Sequence, residues 1–128
     1  MIKGKPLKRK YDLEERTAVF AEDIVVLVRQ MKVDYVNKNI ISQVVKSAGS
    51  IGANYREATE AESKKDFIHK VSISKKKIKE TQHWLRLLAK ANPEYRESIV
   101  KLWKESGELL LIFSKTISTA KSKDSDLT

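Results

Sequence analysis

The 128-residue sequence predicts an all-α fold, an antiparallel up-down-up-down four-helix bundle. Three observations carry that expectation. Apolar residues recur at spacings of three and four over long stretches, and strand-like alternation is not sustained anywhere. Turn punctuation is sparse: 4 Gly and 2 Pro are too few for the regular loops of a sandwich or barrel. Hydrophobic residues make up 41% and charged residues 34%, enough apolar matter for one core. The length suits a single domain, which usually runs to roughly 100–150 residues.

The first helix is expected from Leu13, with Asp12 as N-cap and Glu15 as its capping-box partner. Its apolar face reads Leu13, Phe20, Ile24, Leu27, Val28, Met31 and Tyr35. Val19, Val25 and Val26 widen that face, which predicts contacts with neighbours on more than one side. The second helix is expected from Asn37 or Asn39 to about Ala61, burying Ile41, Val44, Val45, Ala48, Ile51, Gly52 and Tyr55. The third opens at Ser63, with Asp66 three residues on as a capping signature. Its face is Phe67, Val71, Ile78, Leu85 and Leu88, flanked by Ile73, Trp84 and Leu87. Asn92-Pro93 ends it, because proline disfavours helix at the preceding residue and starts a new helix readily. The fourth, from Pro93 to about Thr119, carries Tyr95, Ile99, Leu102, Trp103, Leu110, Phe113 and Ile117. Rods of about 22–28 residues, roughly 33–42 Å long, pack best side by side when joined by short loops.

Three segments follow: a basic flexible arm at 1–10, the bundle at 11–120, and a disordered tail at 121–128. With no cysteine, disulfides, zinc–thiolate sites, iron–sulfur clusters and thiol catalysis are excluded. The basic N-terminus has no apolar segment behind it, so it does not read as a signal peptide. No run of about 18 apolar residues exists to span a membrane, and the expected compartment is the cytoplasm.

The second helix is unusual. Ser47, Ser50, Asn54 and Glu57 form a polar stripe, beside which Ala48, Gly49, Gly52 and Ala53 are all small. A mid-helix glycine costs about 1 kcal/mol relative to alanine, so two within four residues point to a close backbone approach. A tight crossing inside the bundle and a contact with another subunit or a ligand both fit that pattern.

The stretch from Ser42 through Ser47-Ala48-Gly49-Ser50-Ile51-Gly52-Ala53-Asn54-Tyr55-Arg56-Glu57-Ala58 resembles the signature of a bacterial four-helix-bundle family. That family includes proteins encoded in intervening sequences of large-subunit ribosomal RNA genes. Lys64-Lys65-Asp66-Phe67 and Ser72-Ile73-Ser74 through Glu80 resemble its next block. The sequence departs from the pattern at Tyr55, where Ile is usual, at Ala58, where Gly is usual, and at Lys77. The resemblance covers residues 11–120 and marks Ser50, Gly52, Asn54, Glu57 and Glu80 as motif or interface positions. It implies a ring-shaped homopentamer. It also implies similarity to the accessory variability determinant proteins of diversity-generating retroelements, basic pentamers that bind nucleic acid and partner a reverse transcriptase.

Enzyme chemistry finds no constellation. Glu80-Thr81-Gln82-His83 has the Glu-x-x-His spacing of di-iron bundles, but such a site needs a second motif on another helix. The near match, Asp66 to His69, lies on the same helix about 21 Å away. A Glu57–Glu80 carboxylate pair across the second and third helices is the remaining acid–base candidate; the commoner reading is structural, with Glu57 taking hydrogen bonds or pairing with Arg or Lys near the bundle surface. No metal, cofactor or nucleotide site is expected.

Charge is the better lead. The formal net charge is +9, and residues 1–10 hold Lys3, Lys5, Lys8, Arg9 and Lys10 without an acid. Between Ser63 and Glu80 stand seven lysines against Asp66 and Glu80. Phosphate backbones attract such surfaces through counterion release. The expected nucleic-acid contacts are Lys8, Arg9, Lys10, Lys64, Lys65, Lys75, Lys76 and Lys77. The expected function is a homo-oligomeric accessory module for RNA or an RNA–DNA hybrid. The alternative is a protein-interaction scaffold whose lysines serve solubility. Trp84 and Trp103 fall on or near apolar stripes and read as core or interface rather than base-stacking groups.

Overall fold

The computed structural model describes residues 12–126. It is all-helical: α1 spans Leu13–Val28, α2 Tyr35–Thr59, α3 Lys64–Ala91 and α4 Arg96–Asp126, with a single 3₁₀ turn at Pro93–Tyr95 before α4. No strand occurs among the described residues. The first three helices each start on a side-chain cap: the carboxylates of Asp12 and Asp34 and the hydroxyl of Ser63 accept from the backbone N–H three residues on.

Cross-links give the directions. The start of α2 meets the end of α3 through Asn37 and Asn92, and the end of α2 meets the start of α3 through Glu57 and Lys70. The Tyr95 hydroxyl donates to the Gln30 carbonyl, bringing the beginning of the last segment to the end of α1. Neighbouring helices therefore run antiparallel. Phe20, Ile24, Val44, Ile51, Ile78, Leu85, Leu109 and Phe113 are fully buried between them. Tyr55 meets Phe113 edge to face, with ring centroids 5.4 Å apart. The Arg16 guanidinium ties α1 to α4, donating to Glu105 at 2.7 and 2.9 Å and to Glu108 at 2.8 Å. These two carboxylates hold the guanidinium proton more firmly than usual, the Glu105 hydrogen bonds most of all.

Several boundaries differ from the sequence expectation. Helix α1 stops at Val28, not beyond Met31, closing with the i→i+3 bonds Gln30 to Leu27 and Met31 to Val28. Met31 is nevertheless buried, so the apolar period ran past the helix that carries it. Tyr35 is 81% exposed at the start of α2, not on the core face of α1. The cap of α2 is Asp34; Asn37 lies inside the helix, where its amide bonds the Lys32 carbonyl and exchanges two hydrogen bonds with Asn92. Val25 and Val26 face outward rather than into neighbouring helices, at 39% and 62% exposed. Leu109, not Leu110, is the fully buried residue of that turn of α4. Helix α4 continues to Asp126, so the tail expected from residue 121 begins as helix.

Candidate nucleic-acid interface

Helix α3 has two flanks, one against α2 and one against α4, and they differ in chemistry. On the α2 side the seam is closed by hydroxyls. The Ser74 hydroxyl, fully buried, donates to the Ile51 carbonyl at 2.9 Å. Thr81 Oγ lies 2.7 Å from the Lys77 carbonyl and 2.9 Å from Ser47 Oγ. With one proton on Thr81, the carbonyl takes it and the Ser47 hydroxyl donates to Thr81. Lysines on this flank are paired: Lys70 Nζ is 2.8 Å from Glu57 and Lys77 Nζ is 3.2 Å from Glu80. The Lys70 ammonium is held above its ordinary value by the Glu57 hydrogen bond first and its charge second.

On the α4 side lies an open groove of about 980 Å³. Leu85 and Ile99 form its floor, and Leu87, Val100 and Trp103 its walls. Arg86, Lys90, Arg96 and Lys104 surround it, and no carboxylate lines it. None of these four cations is in an ion pair among the described residues. Trp103 is 48% exposed here, so it is not a core residue of the single chain. A second apolar groove, of about 530 Å³, opens between the start of α3 and the end of α4, where Lys64 and Lys115 line it around Phe67.

The expected contact residues therefore separate. Lys8, Arg9 and Lys10 lie outside the described residues. Lys64 lines the second groove, Lys65 and Lys76 are exposed, Lys75 is half-buried, and Lys77 is engaged by Glu80. Sequence reasoning missed Arg86, Lys90, Arg96 and Lys104 because they stand at the far end of α3 and on α4, outside the dense lysine run. The signal that finds them is cross-helix: two cations on each side of the Asn92-Pro93 turn, Arg86/Lys90 four apart and Arg96/Lys104 eight apart.

The motif positions are mostly structural. Ser50 bonds back to the Lys46 carbonyl and Asn54 to the Ser50 carbonyl. Gly52 sits where α1 crosses: a Cβ there would lie 3.0 Å from Thr17 Oγ1, which is fully buried and bonded to the Leu13 carbonyl at 2.7 Å. Gly49 meets nothing within 4 Å, so the close approach belongs to Gly52 alone. Glu57 and Glu80 do not form a carboxylate pair; each binds a different lysine, and Glu80 sits beside the Thr81 contact with Ser47, ten residues or roughly 15 Å along α2 from Glu57. His83 of the Glu-x-x-His segment packs edge-on against Trp84 at 5.1 Å. The Trp84 indole N–H is buried without a partner. Among the described residues, no three His, Asp or Glu side chains gather closely enough to hold a metal ion, and no helix is long and apolar enough to cross a membrane.

A family model described as 23S rRNA-intervening sequence protein matches residues 9–115. The chain belongs to that family. A crystal structure of a protein of unknown function from the S23 ribosomal protein family of Bacteroides thetaiotaomicron is 33% identical, with a TM-score of 0.73. That match covers 81% of this chain and 96% of the other. No curated protein matches the chain. Family membership accounts for the helical bundle and for the Ser42–Ala58 motif; it assigns no activity.

Proposed function

We propose that this protein is a non-enzymatic, homo-oligomeric accessory module that binds nucleic acid, RNA or an RNA–DNA hybrid, as a ring-shaped pentamer. The observation that carries the reading is the division of cations on α3: those beside α2 are paired with glutamates, whereas those beside α4 face a groove with no carboxylate. Cations left without acids on a +9 chain are placed for phosphates, whose counterions they release. The resemblance to the accessory variability determinant proteins supports the same chemistry, and a reverse transcriptase is the class of protein partner it brings with it. Assembly is supported by apolar side chains left exposed on α1, Val19, Val25 and Val26.

Light scattering of the purified protein, with and without a mixed RNA pool at low and high salt, tests both parts. The expected result is a pentamer that gains mass with RNA at low salt and loses it at high salt. Replacing Lys75, Lys76 and Lys77 with Glu is expected to weaken that retention. A pentamer indifferent to RNA at every salt concentration refutes the nucleic-acid reading and hands the surface to a protein partner; a monomer refutes the ring.

A further inference from the structure

The α3–α4 seam is more than a basic patch, because its two walls carry different chemistry. On α3, Lys75, Lys79, Gln82, Arg86 and Lys90 follow one another at spacings of 4, 3, 4 and 4, a single stripe along one flank. On α4, Arg96, Val100, Trp103, Gly107 and Leu111 repeat the same spacings. The stripes are neighbours across the seam: a Cβ on Gly107 would lie 4.0 Å from Gln82 Nε2. One wall is therefore mainly cationic over about 22 Å. The other presents the half-exposed indole of Trp103 and, one turn beyond Gly107, Leu111 at 72% exposure. Gly107 leaves a gap between these two apolar groups.

We propose that this seam is a track for single-stranded nucleic acid, with backbone phosphates along the α3 cations and a base stacked on Trp103. The proposal rests on the nucleic-acid reading above and deepens it by naming the strand state and the stacking residue. A duplex buries its base faces and offers a neighbouring protein mostly phosphate. A single strand offers phosphates along one edge and free π-faces along the other, and aromatic platforms beside a positive groove are how such strands are held without regard to sequence. Arg86 and Lys90 on α3 stand across the groove from the Trp103 indole, which supplies the π-face. The indole is also flanked by Lys104, adjacent on its own helix, so stacked base and bound phosphate fall within one turn.

The test is an anisotropy titration of a fluorescein-labelled 12-nucleotide oligouridylate and a labelled 12-base-pair RNA duplex with the full chain, at fixed low salt, with indole emission of the wild type followed in parallel. Both the wild type and Trp103→Ala are titrated, with helicity and melting checked by circular dichroism. The expected result is quenching of indole emission by the single strand. Trp103→Ala should lose about 5- to 150-fold in single-strand affinity, the effect of one base stack, while duplex affinity stays within about two-fold. Trp103→Phe should recover most of the loss. Equal single-strand affinity in wild type and Trp103→Ala overturns the track yet leaves the nucleic-acid reading standing. No salt-sensitive binding of either RNA by the wild type refutes that reading itself. Polyglutamate displacing the oligouridylate at equal charge also overturns the track, since it has anions without bases and would assign the groove to an acidic protein. A lower mass for free Trp103→Ala than for free wild type overturns it too, because a second copy would then occupy the groove.

Discussion

The two flanks of α3 are made from one helix and similar residue types, yet they end in opposite states. Toward α2, hydroxyls and glutamates satisfy what the lysines and carbonyls offer, and the seam is dry at Ser47, Ser74 and Thr81. Toward α4, Arg86, Lys90, Arg96 and Lys104 face a groove whose lining includes no acid. Pairing costs a cation its availability to a partner; an unpaired cation adds little to the fold and keeps its charge for phosphate. The difference separates residues that hold the bundle from residues free to act.

The sharpest break in that comparison should come from the core of the closed seam. Ile51→Ala removes a fully buried side chain between α2 and α3 and is expected to cost about 2–5 kcal/mol by urea denaturation. Leu87→Ala, at the open groove where the side chain is already 38% exposed, should cost less than about 1 kcal/mol. Equal losses would mean that the groove is packed in solution. Next in size is the Asn37–Asn92 pair. Asn92→Ala leaves the buried Asn37 amide with one partner fewer and removes a bond to the Leu88 carbonyl, an expected loss of about 1–3 kcal/mol. A double-mutant cycle with Asn37→Ala should give a coupling of the same sign; additive losses would show that the two amides act separately.

The two glycines of α2 sharpen the comparison at a smaller scale. Gly49→Ala meets open space and should raise stability by up to about 1 kcal/mol, the helix-propensity difference. At Gly52 a methyl presses on Thr17, whose side chain is fixed by its own hydrogen bonds, so Gly52→Ala should not share that gain. Gly52→Leu should lose about 1–3 kcal/mol by overpacking, visible in thermal melts. Unchanged melting of Gly52→Leu would contradict the observed crossing of α1 and α2.

The smallest effect is the pH dependence at Tyr55. Burial first, then the charges of Glu14 and Asp12, hold its phenol above the ordinary value. The folded state thus binds this proton more tightly than the unfolded chain. That contribution is present below about pH 10 and is lost as pH rises through the folded-state value. Tyr55→Phe should flatten the alkaline limb of a stability-versus-pH curve and leave the neutral region nearly unchanged.

Much of the fold was legible in the sequence because its signals are local. The caps at Asp12 and Ser63 and the break at Asn92-Pro93 depend on residues within one turn, and each stands where the pattern put it. The end of α1 was not legible, because Met31 lies in the loop after the helix yet is buried in the core, and so keeps the period without the helix. Asn37 looked like a cap because its partner, Asn92, is 55 residues away. The polar residues inside α3 escaped for the same reason, since Ser74 and Thr81 are satisfied by α2. The candidate interface was legible as a lysine-rich helix but not as a groove. Which lysines pair with glutamates, and which arginines of α3 and α4 converge, depends on the rotation of each helix about its axis.

A matched pair of charge reversals tests the division of α3 most directly. Lys79→Glu with Arg86→Glu alters the α4 flank, and Lys70→Glu with Lys77→Glu alters the α2 flank, so both variants change the net charge equally. Their affinities for the same single-stranded RNA are measured at one low salt concentration. The account predicts that the α4-flank variant loses retention by far the more, while the α2-flank variant keeps most of its affinity and melts at lower temperature. Equal losses from the two variants would contradict it, because the RNA would then sense only total charge.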